Sequence, residues 1–365
     1  MILMNDFKAE PEDLRIAELA AVDRVLHSGW YVLGQEVQAF ETEWAARCNI
    51  SHAIGVGNGM DAIEIGLRAL DIGVGDEVIT TPMTAFATVL AVIRSGAIPV
   101  LADIDTDTAL LDLQSVERCI TSKTKAVLLV HLYGQVCNME SWLDLCETHG
   151  LALLEDCAQS HLAAWNNKVA GGFGRFGAYS FYPTKNLGAI GDAGAMVSND
   201  IELIQRAAIL RNYGQKERYY HSELGLNSRL DEIQAALLRV RLDRLEKFTQ
   251  RRRQIAKIYF EKIANPKIQL LAQPLQTENH VYHLFVIRCA ERERLTQHLR
   301  SSGIESFIHY PVPVHRQEPC AHLRFGPNGL PAAEQHATTC LSIPCHPQMS
   351  DADIAAVIEA LNAFK

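Results

Sequence analysis

Residues 179–192 read Tyr-Ser-Phe-Tyr-Pro-Thr-Lys-Asn-Leu-Gly-Ala-Ile-Gly-Asp. The run begins as a short strand and breaks at Pro183. It then presents one lysine, Lys185, in a turn rich in small residues. Gly188, Gly191 and Gly194 let backbone pass close to a ligand. Upstream, residues 153–159 read Leu-Leu-Glu-Asp-Cys-Ala-Gln, a buried type of strand ending in Asp156, with Gln159 just beyond. An acid at one strand end and a lysine after the next strand suit pyridoxal 5′-phosphate. Its aldehyde needs an amine to condense with, and its ring nitrogen needs an anion to stay protonated.

Outward from this stretch, apolar strands alternate with helices. The pattern predicts strands at His52–Gly57, Glu77–Thr81, Ile98–Asp103, Ala126–His131, Leu151–Glu155, Ala178–Phe181 and Ala195–Ser198. Helices are predicted at Leu14–Leu26, Glu36–Cys48, Asp61–Leu70, Ala87–Ser95, Leu113–Ile120 and Met139–His149. Near-continuous apolar strands separated by helices give an α/β fold with a largely parallel sheet covered on both faces. Ligand groups then gather at the carboxyl ends of strands, where Asp156 stands. From about Glu246 the pattern changes to a smaller α+β unit, with strands at His283–Ile287 and Ile308–Tyr310 and helices at Arg294–Ser301 and Asp351–Ala363. The division is 1–245 for a large unit with an N-terminal arm and 246–365 for a small one.

His52–Gly57, then Asn58-Gly59, then a helical pattern make a strand, a tight turn and a helix start. Such a turn aims N–H groups and the helix dipole at an anion, though an ordinary strand–helix connection reads the same way. Ser228-Arg-Leu-Asp231 reads as a capping box ahead of a long helix with Ile233, Leu237, Val240 and Leu245 on one face. Trp30 and Tyr31, between the first two helices, and Phe86 read as packing residues. Arg251-Arg-Arg253 reads as a solvated helix face.

Composition bounds the function classes. The chain has 365 residues, 48% hydrophobic and 21% charged, as for an ordinary globular enzyme. No apolar run approaches the roughly 18 residues of a membrane helix, and Met1–Glu10 lacks an apolar signal core, so the cytoplasm is expected. Nine cysteines without a Cys-x-x-Cys pair read as reduced core thiols. Cys320, Cys340 and Cys345 lie near His315, His322 and His346, but the spacings match no zinc template, and no metal is expected. A net charge of −9 argues against nucleic acid. It also means that any anionic substrate must be captured by local positive groups.

Several segments together resemble the sugar aminotransferases of the DegT/DnrJ/EryC1/StrS family. They are Gly57-Asn-Gly-Met-Asp-Ala62, Glu155-Asp-Cys-Ala-Gln159, Ser180-Phe-Tyr-Pro-Thr-Lys-Asn-Leu-Gly188 and Asn227-Ser-Arg-Leu-Asp-Glu-Ile-Gln-Ala-Ala236. The resemblance runs from about Gly29 to the C-terminal tail. It implies a fold type I pyridoxal-phosphate transferase, with a mostly parallel seven-stranded sheet in the large domain. Lys185 and Asp156 become the catalytic pair. Gly59, Met60, Gln159, Ser180 and Asn227 become the other cofactor-binding residues, Asn227 serving the partner subunit of a homodimer. Met60 stands where the family usually has Thr, so its backbone amide alone remains for the phosphate. The family places an aromatic residue over the cofactor ring, but an ungapped match puts Ala85, not Phe86, there.

The resemblance implies transamination from an amino donor, L-glutamate, to a nucleotide-linked keto sugar. Gly303-Ile304 and Ile308-His-Tyr-Pro-Val-Pro-Val-His315 resemble members acting on dTDP-3-keto-6-deoxyhexoses. Tyr310, His315, Arg218, Tyr219 and His221 are the substrate candidates, with Lys216 adding positive charge and Arg229 a candidate for the donor carboxylate. The alternatives are a 4-keto or 2-keto sugar, a keto-inositol, a dehydratase relative with histidine in place of the lysine, and a non-catalytic regulator. Lys185 itself speaks against the dehydratase.

Overall fold

A computed structural model describes every residue, Met1–Lys365. The seven expected strands all form: β1 (His52–Val56), β2 (Glu77–Thr80), β3 (Ile98–Leu101), β4 (Thr124–Val130), β5 (Ala152–Asp156), β6 (Phe176–Ser180) and β7 (Gly194–Ser198). They join one sheet with a short eighth strand that the sequence pattern did not reveal, β8 (Arg324–Phe325). The order is β1-β7-β6-β5-β4-β2-β3-β8. From β6 to β8 every pairing is parallel, and β7 runs antiparallel to both neighbours. The carboxyl ends of β1, β2, β4, β5 and β6 and the amino end of β7 therefore share one edge.

Eleven helices form: α1 (Glu12–Ser28), α2 (Gln35–Cys48), α3 (Gly59–Ala69), α4 (Phe86–Arg94), α5 (Leu113–Cys119), α6 (Met139–His149), α7 (Ile201–Leu210), α8 (Glu232–Lys262), α9 (Arg292–Ser301), α10 (Pro331–Thr339) and α11 (Asp351–Ala363). Consecutive strand residues enter opposite cores, as period-two geometry demands. Val78, Leu128 and Leu154 pack with Ile63 of α3, Val92 of α4 and Ile204 of α7. Ile79, Leu129 and Leu153 pack with Trp44 of α2, Trp142 of α6 and Leu238 of α8. Each buried Leu, Ile or Phe contributes about 1.5–3 kcal/mol, so two filled faces hold the sheet firmly.

Helix α8 crosses from one core to the next. Leu238, Leu242 and Leu245 belong to the sheet core, while Ile255, Ala256 and Tyr259 belong to a second core with Phe285, Leu299, Ile343 and Leu361. That second core lies on a three-stranded antiparallel sheet of Gln269–Leu270, Phe285–Arg288 and Cys340–Ile343.

Several local expectations are corrected. Ile308–Tyr310 is not a strand, and only the neighbouring Phe307 forms a single bridge, to Ser342. Ser228 caps nothing: α8 starts at Glu232, and the Ser228 hydroxyl accepts from the Gly57 amide at 3.0 Å. Arg251–Arg253 is no solvated face. Arg252 is buried and donates to the carbonyls of Tyr282, His283 and Cys345, while Arg253 donates to His280 and Arg251 to Met349. Trp30, Tyr31 and Phe86 lie at the surface rather than in the core, Trp30 with 63% exposure. All nine cysteines are buried free thiols. No helix is long and apolar enough to cross a membrane.

Candidate active site

The shared sheet edge collects the site. Asp156, the last residue of β5, is buried. Its Oδ2 accepts from the Thr88 hydroxyl at 2.7 Å and its Oδ1 from the Ala158 amide at 3.0 Å. Burial raises its pKa above the ordinary carboxylate value, against the pull of those donors and of Lys185 and His131. Thr88 is held in turn by Thr84, hydroxyl to hydroxyl at 2.8 Å. Thr88 has one proton and spends it on Asp156, so Thr84 donates to Thr88.

Lys185 sits half-buried in the turn after β6. Its amide donates to the Tyr182 carbonyl at 2.8 Å, closing the bend that Pro183 opens. A Cβ on Gly188 would stand 2.3 Å from the Pro183 carbonyl oxygen, so only glycine closes this turn. Burial brings the Lys185 amine down to about 8, and the nearby Asp156 charge partly offsets that fall.

Three histidines that the sequence did not single out as site residues lie close enough to feel the lysine's charge. His161 is fully buried and donates from Nε2 to the Ser180 carbonyl at 3.0 Å. Burial, with the Lys185 charge, pushes its pKa down to about 3. His283 is lowered well below its ordinary value and His309 to about 4, again by burial first and Lys185 next. All three are neutral at working pH. The spacing Gln159-Ser-His161 on the turn after Asp156 was the one sequence signal for His161.

Gln159 is buried and spans two groups. Its Oε1 accepts from the Tyr133 amide at 2.6 Å, and its Nε2 donates to the Tyr310 hydroxyl at 3.2 Å. Tyr310 is thereby drawn into the site, its hydroxyl pushed up to about 12 by burial and by Asp156.

Beside them lies an anion cradle. Asn58 caps α3, its side chain accepting from the Asp61 amide at 2.9 Å. The first-turn amides of Gly59 and Met60 have no carbonyl within the helix to bond. A Cβ on Gly59 would meet Ser180 Cβ at 2.8 Å, and one on Gly194 would meet the Gly59 nitrogen at 2.8 Å. The two glycines thus let β6, β7 and the start of α3 converge. Free N–H groups, the Ser180 hydroxyl, an acid and a lysine of lowered pKa on one edge fit the donor set that pyridoxal phosphate needs.

Other candidates lie apart. His315 is buried, and its Nε2 donates to Glu334 at 3.0 Å rather than joining the Lys185 group. Arg218 lies over the Tyr219 ring on an exposed hairpin formed by Gln215–Glu217 and Tyr220–His221. The His221 ring engages the Tyr213 carbonyl at 2.9 Å. Asn227 is exposed and bridges to Asn212. Arg229 donates to the Asn212 side chain at 3.0 Å. None of these is hydrogen-bonded to Lys185 or Asp156.

The chain is similar to known proteins over nearly its whole length. A dTDP-3-amino-3,6-dideoxy-alpha-D-galactopyranose transaminase of Aneurinibacillus thermoaerophilus is 46% identical over 94% of each chain. A dTDP-3-amino-3,4,6-trideoxy-alpha-D-glucose transaminase of Streptomyces venezuelae is 44% identical over 98% of this chain and 95% of its own. The crystal structure of S. venezuelae DesV in complex with a ketimine intermediate superposes with a TM-score of 0.95, at 43% identity, over 99% of this chain and 97% of that one. The model of the DegT/DnrJ/EryC1/StrS aminotransferase family matches residues 12–362. The chain belongs to that family of aminotransferases.

Proposed function

We propose that this aminotransferase uses pyridoxal 5′-phosphate to move an amino group from L-glutamate to a nucleotide-linked keto sugar. The sugar is a dTDP-3-keto-6-deoxyhexose, and the product a 3-amino-3,6-dideoxyhexose. One observation carries the reading: a buried acid and a lysine lowered to about 8 share an edge with the open N-terminus of α3. The names of the similar transaminases support the 3-keto position.

The cofactor, when bound, supplies an aldehyde that takes up the amino group and a ring that accepts electrons. Lys185 Nζ would hold the cofactor and would move the proton to and from the substrate carbon that bears the nitrogen. An amine near pKa 8 suits both tasks at neutral pH. Asp156 holds the ring nitrogen protonated, and Thr88 fixes its carboxylate. Gln159, held by the Tyr133 amide and the Tyr310 hydroxyl, would supply its amide to the cofactor. Gly59, Met60 and Ser180 take the phosphate. The three neutral histidines spare Lys185 a cationic neighbour.

The homodimer belongs to the same reading. Ile16, Leu19, Leu26, Tyr182 and Ile190 are exposed apolar residues on α1 and the Lys185 turn, a surface fit for a second copy. Asn227, Arg218, Tyr219 and His221 then serve the partner's site, and His315 keeps a role near the sugar. The unit division at 245/246 and a cytoplasmic setting, in keeping with nine free thiols, complete it. The test is incubation of enzyme and L-glutamate with 3-keto and 4-keto nucleotide sugars, locating the new amine by NMR. Amine at C3 is expected. Amine at C4 overturns the substrate assignment.

A further inference from the structure

Tyr133 is buried in the short turn Leu132–Gly134 after β4, where its backbone adopts φ 61°. A bulky residue takes that left-handed conformation only where its surroundings hold it, and such residues gather at functional sites. Here hydrogen bonds hold it. The Tyr133 carbonyl accepts from the Leu284 amide at 3.3 Å, and the Gly134 carbonyl from the Val281 amide at 2.9 Å. A Cβ on Gly134 would stand 2.9 Å from the Gln159 carbonyl oxygen, so the turn also lies close against the Gln159 backbone.

The two polar groups of Tyr133 hold the two members of one pair. Its amide donates to Gln159 Oε1 at 2.6 Å. That contact settles which end of the side-chain amide is which. Nε2 is then the group 3.2 Å from the Tyr310 hydroxyl, and an amide nitrogen only donates. Tyr310 therefore accepts from Gln159 and keeps its own proton for a bound molecule. The Tyr133 hydroxyl meanwhile donates to the His309 carbonyl at 2.5 Å, part of the peptide unit that leads into Tyr310. That carbonyl has no proton to give, so His336 Nε2, 2.9 Å away, donates to the Tyr133 hydroxyl. Burial holds the His336 pKa down to about 4, so the ring is neutral and its one proton is the one on Nε2.

We propose that Tyr133 is a positioning residue of this active site: its amide sets the Gln159 side chain, its hydroxyl sets the peptide ahead of Tyr310, and together they present the Tyr310 O–H to the keto sugar. This rests on the reading that Tyr310 meets the sugar, and Tyr133 acts only through Tyr310 and Gln159. A reacting group misplaced by about 1 Å can cost roughly 100-fold in rate, so an anchor one residue away matters.

Tyr133→Phe tests it, keeping the ring and the amide bond to Gln159 and removing the hydroxyl. Hydrogen exchange with mass spectrometry, on the cofactor-loaded enzyme, reads the anchor without turnover. The peptide covering Phe307–Val312 should exchange at least fivefold faster in the variant. His336→Leu is the control. It takes a hydrogen bond from the same hydroxyl but leaves the His309 contact, so it should lower the melting temperature to a similar extent and keep that exchange within twofold of native. Kinetics with the keto sugar reads the consequence. Its kcat/KM should fall at least tenfold in Tyr133→Phe and in Tyr310→Phe. The double variant should be no more than twofold worse than the worse single one, because one residue acts through the other. Unchanged exchange in Tyr133→Phe overturns the proposal, as do equal kinetic losses in His336→Leu or effects that multiply in the double variant. A Tyr310→Phe enzyme as active as the native one instead takes Tyr310 out of the sugar site, and the proposal falls with that reading even if the exchange is faster.

Discussion

Thr88→Val probes the acid that the chemistry leans on. Valine keeps the shape of threonine and removes one hydroxyl. In the native protein that hydroxyl donates to Asp156 Oδ2 at 2.7 Å inside a buried pocket, with Thr84 behind it at 2.8 Å. A hydrogen bond to a charged group contributes about 1.5–3 kcal/mol, and loss of the acceptor also strands the Thr84 hydroxyl. At 1.36 kcal/mol per unit, the Asp156 pKa should climb by roughly one to two units. It already stands above the ordinary carboxylate value because of burial. A further rise leaves more of it neutral at a given pH, and a neutral acid does not hold a protonated ring nitrogen. Affinity of the cofactor-free enzyme for pyridoxal phosphate should fall about 10–100-fold, roughly 1.4–2.7 kcal/mol. The sign with pH follows: the deficit is largest at mildly acidic pH and shrinks at alkaline pH, where Asp156 ionises regardless. Thr88→Ser restores the donor and should restore affinity. The assay is cofactor titration followed by absorbance across the neutral range. A Thr88→Val enzyme that binds like the native protein at every pH refutes the role given to this hydroxyl.

Gly59→Ala places a Cβ 2.8 Å from Ser180 and should spread the phosphate cradle, weakening pyridoxamine phosphate at least tenfold by fluorescence titration, with helix content unchanged by circular dichroism. Arg252→Met removes the donor that three carbonyls share in the small unit. Denaturant unfolding should then report a loss of about 2–5 kcal/mol. The cofactor-free enzyme should lose stability as pH falls from about 6.5 to about 4. Over that window the unfolded chain binds protons that His161 and His309, held down to about 3 and about 4, refuse in the folded state. Melting temperature against pH measures the slope, and His161→Phe, which suits the surrounding ring of Trp44, Tyr179 and Phe181, should flatten it.

The sheet was legible because both its faces are buried. Strands such as Ala126–Val130 are apolar at every position, as a strand covered on both faces must be. Asp156 was legible because it ends an apolar strand, where a charged residue has no packing role, and Lys185 because it stands alone in the Pro-Gly turn that follows the next strand. Thr88 and His161 were not, since a buried hydroxyl in the first turn of a helix, or an imidazole in the turn after a strand, looks like any polar punctuation. Arg252 misled for a related reason: in sequence, a guanidinium that will be saturated by carbonyls resembles one that water will solvate. Ser228 carried a true helix-start pattern, but tertiary pairing with Gly57 claimed its hydroxyl first. The two-residue β8 lacks any periodicity to read.

The central claim is that Lys185, and no other amine, carries the cofactor. Borohydride reduction of the pyridoxal-phosphate-loaded enzyme, followed by proteolysis and peptide mass spectrometry, tests it directly. The account predicts a single reduced adduct, on the peptide spanning Tyr182–Asp192 and assigned to Lys185 by fragmentation. An adduct on a different lysine, or none on a protein shown to be loaded, contradicts it.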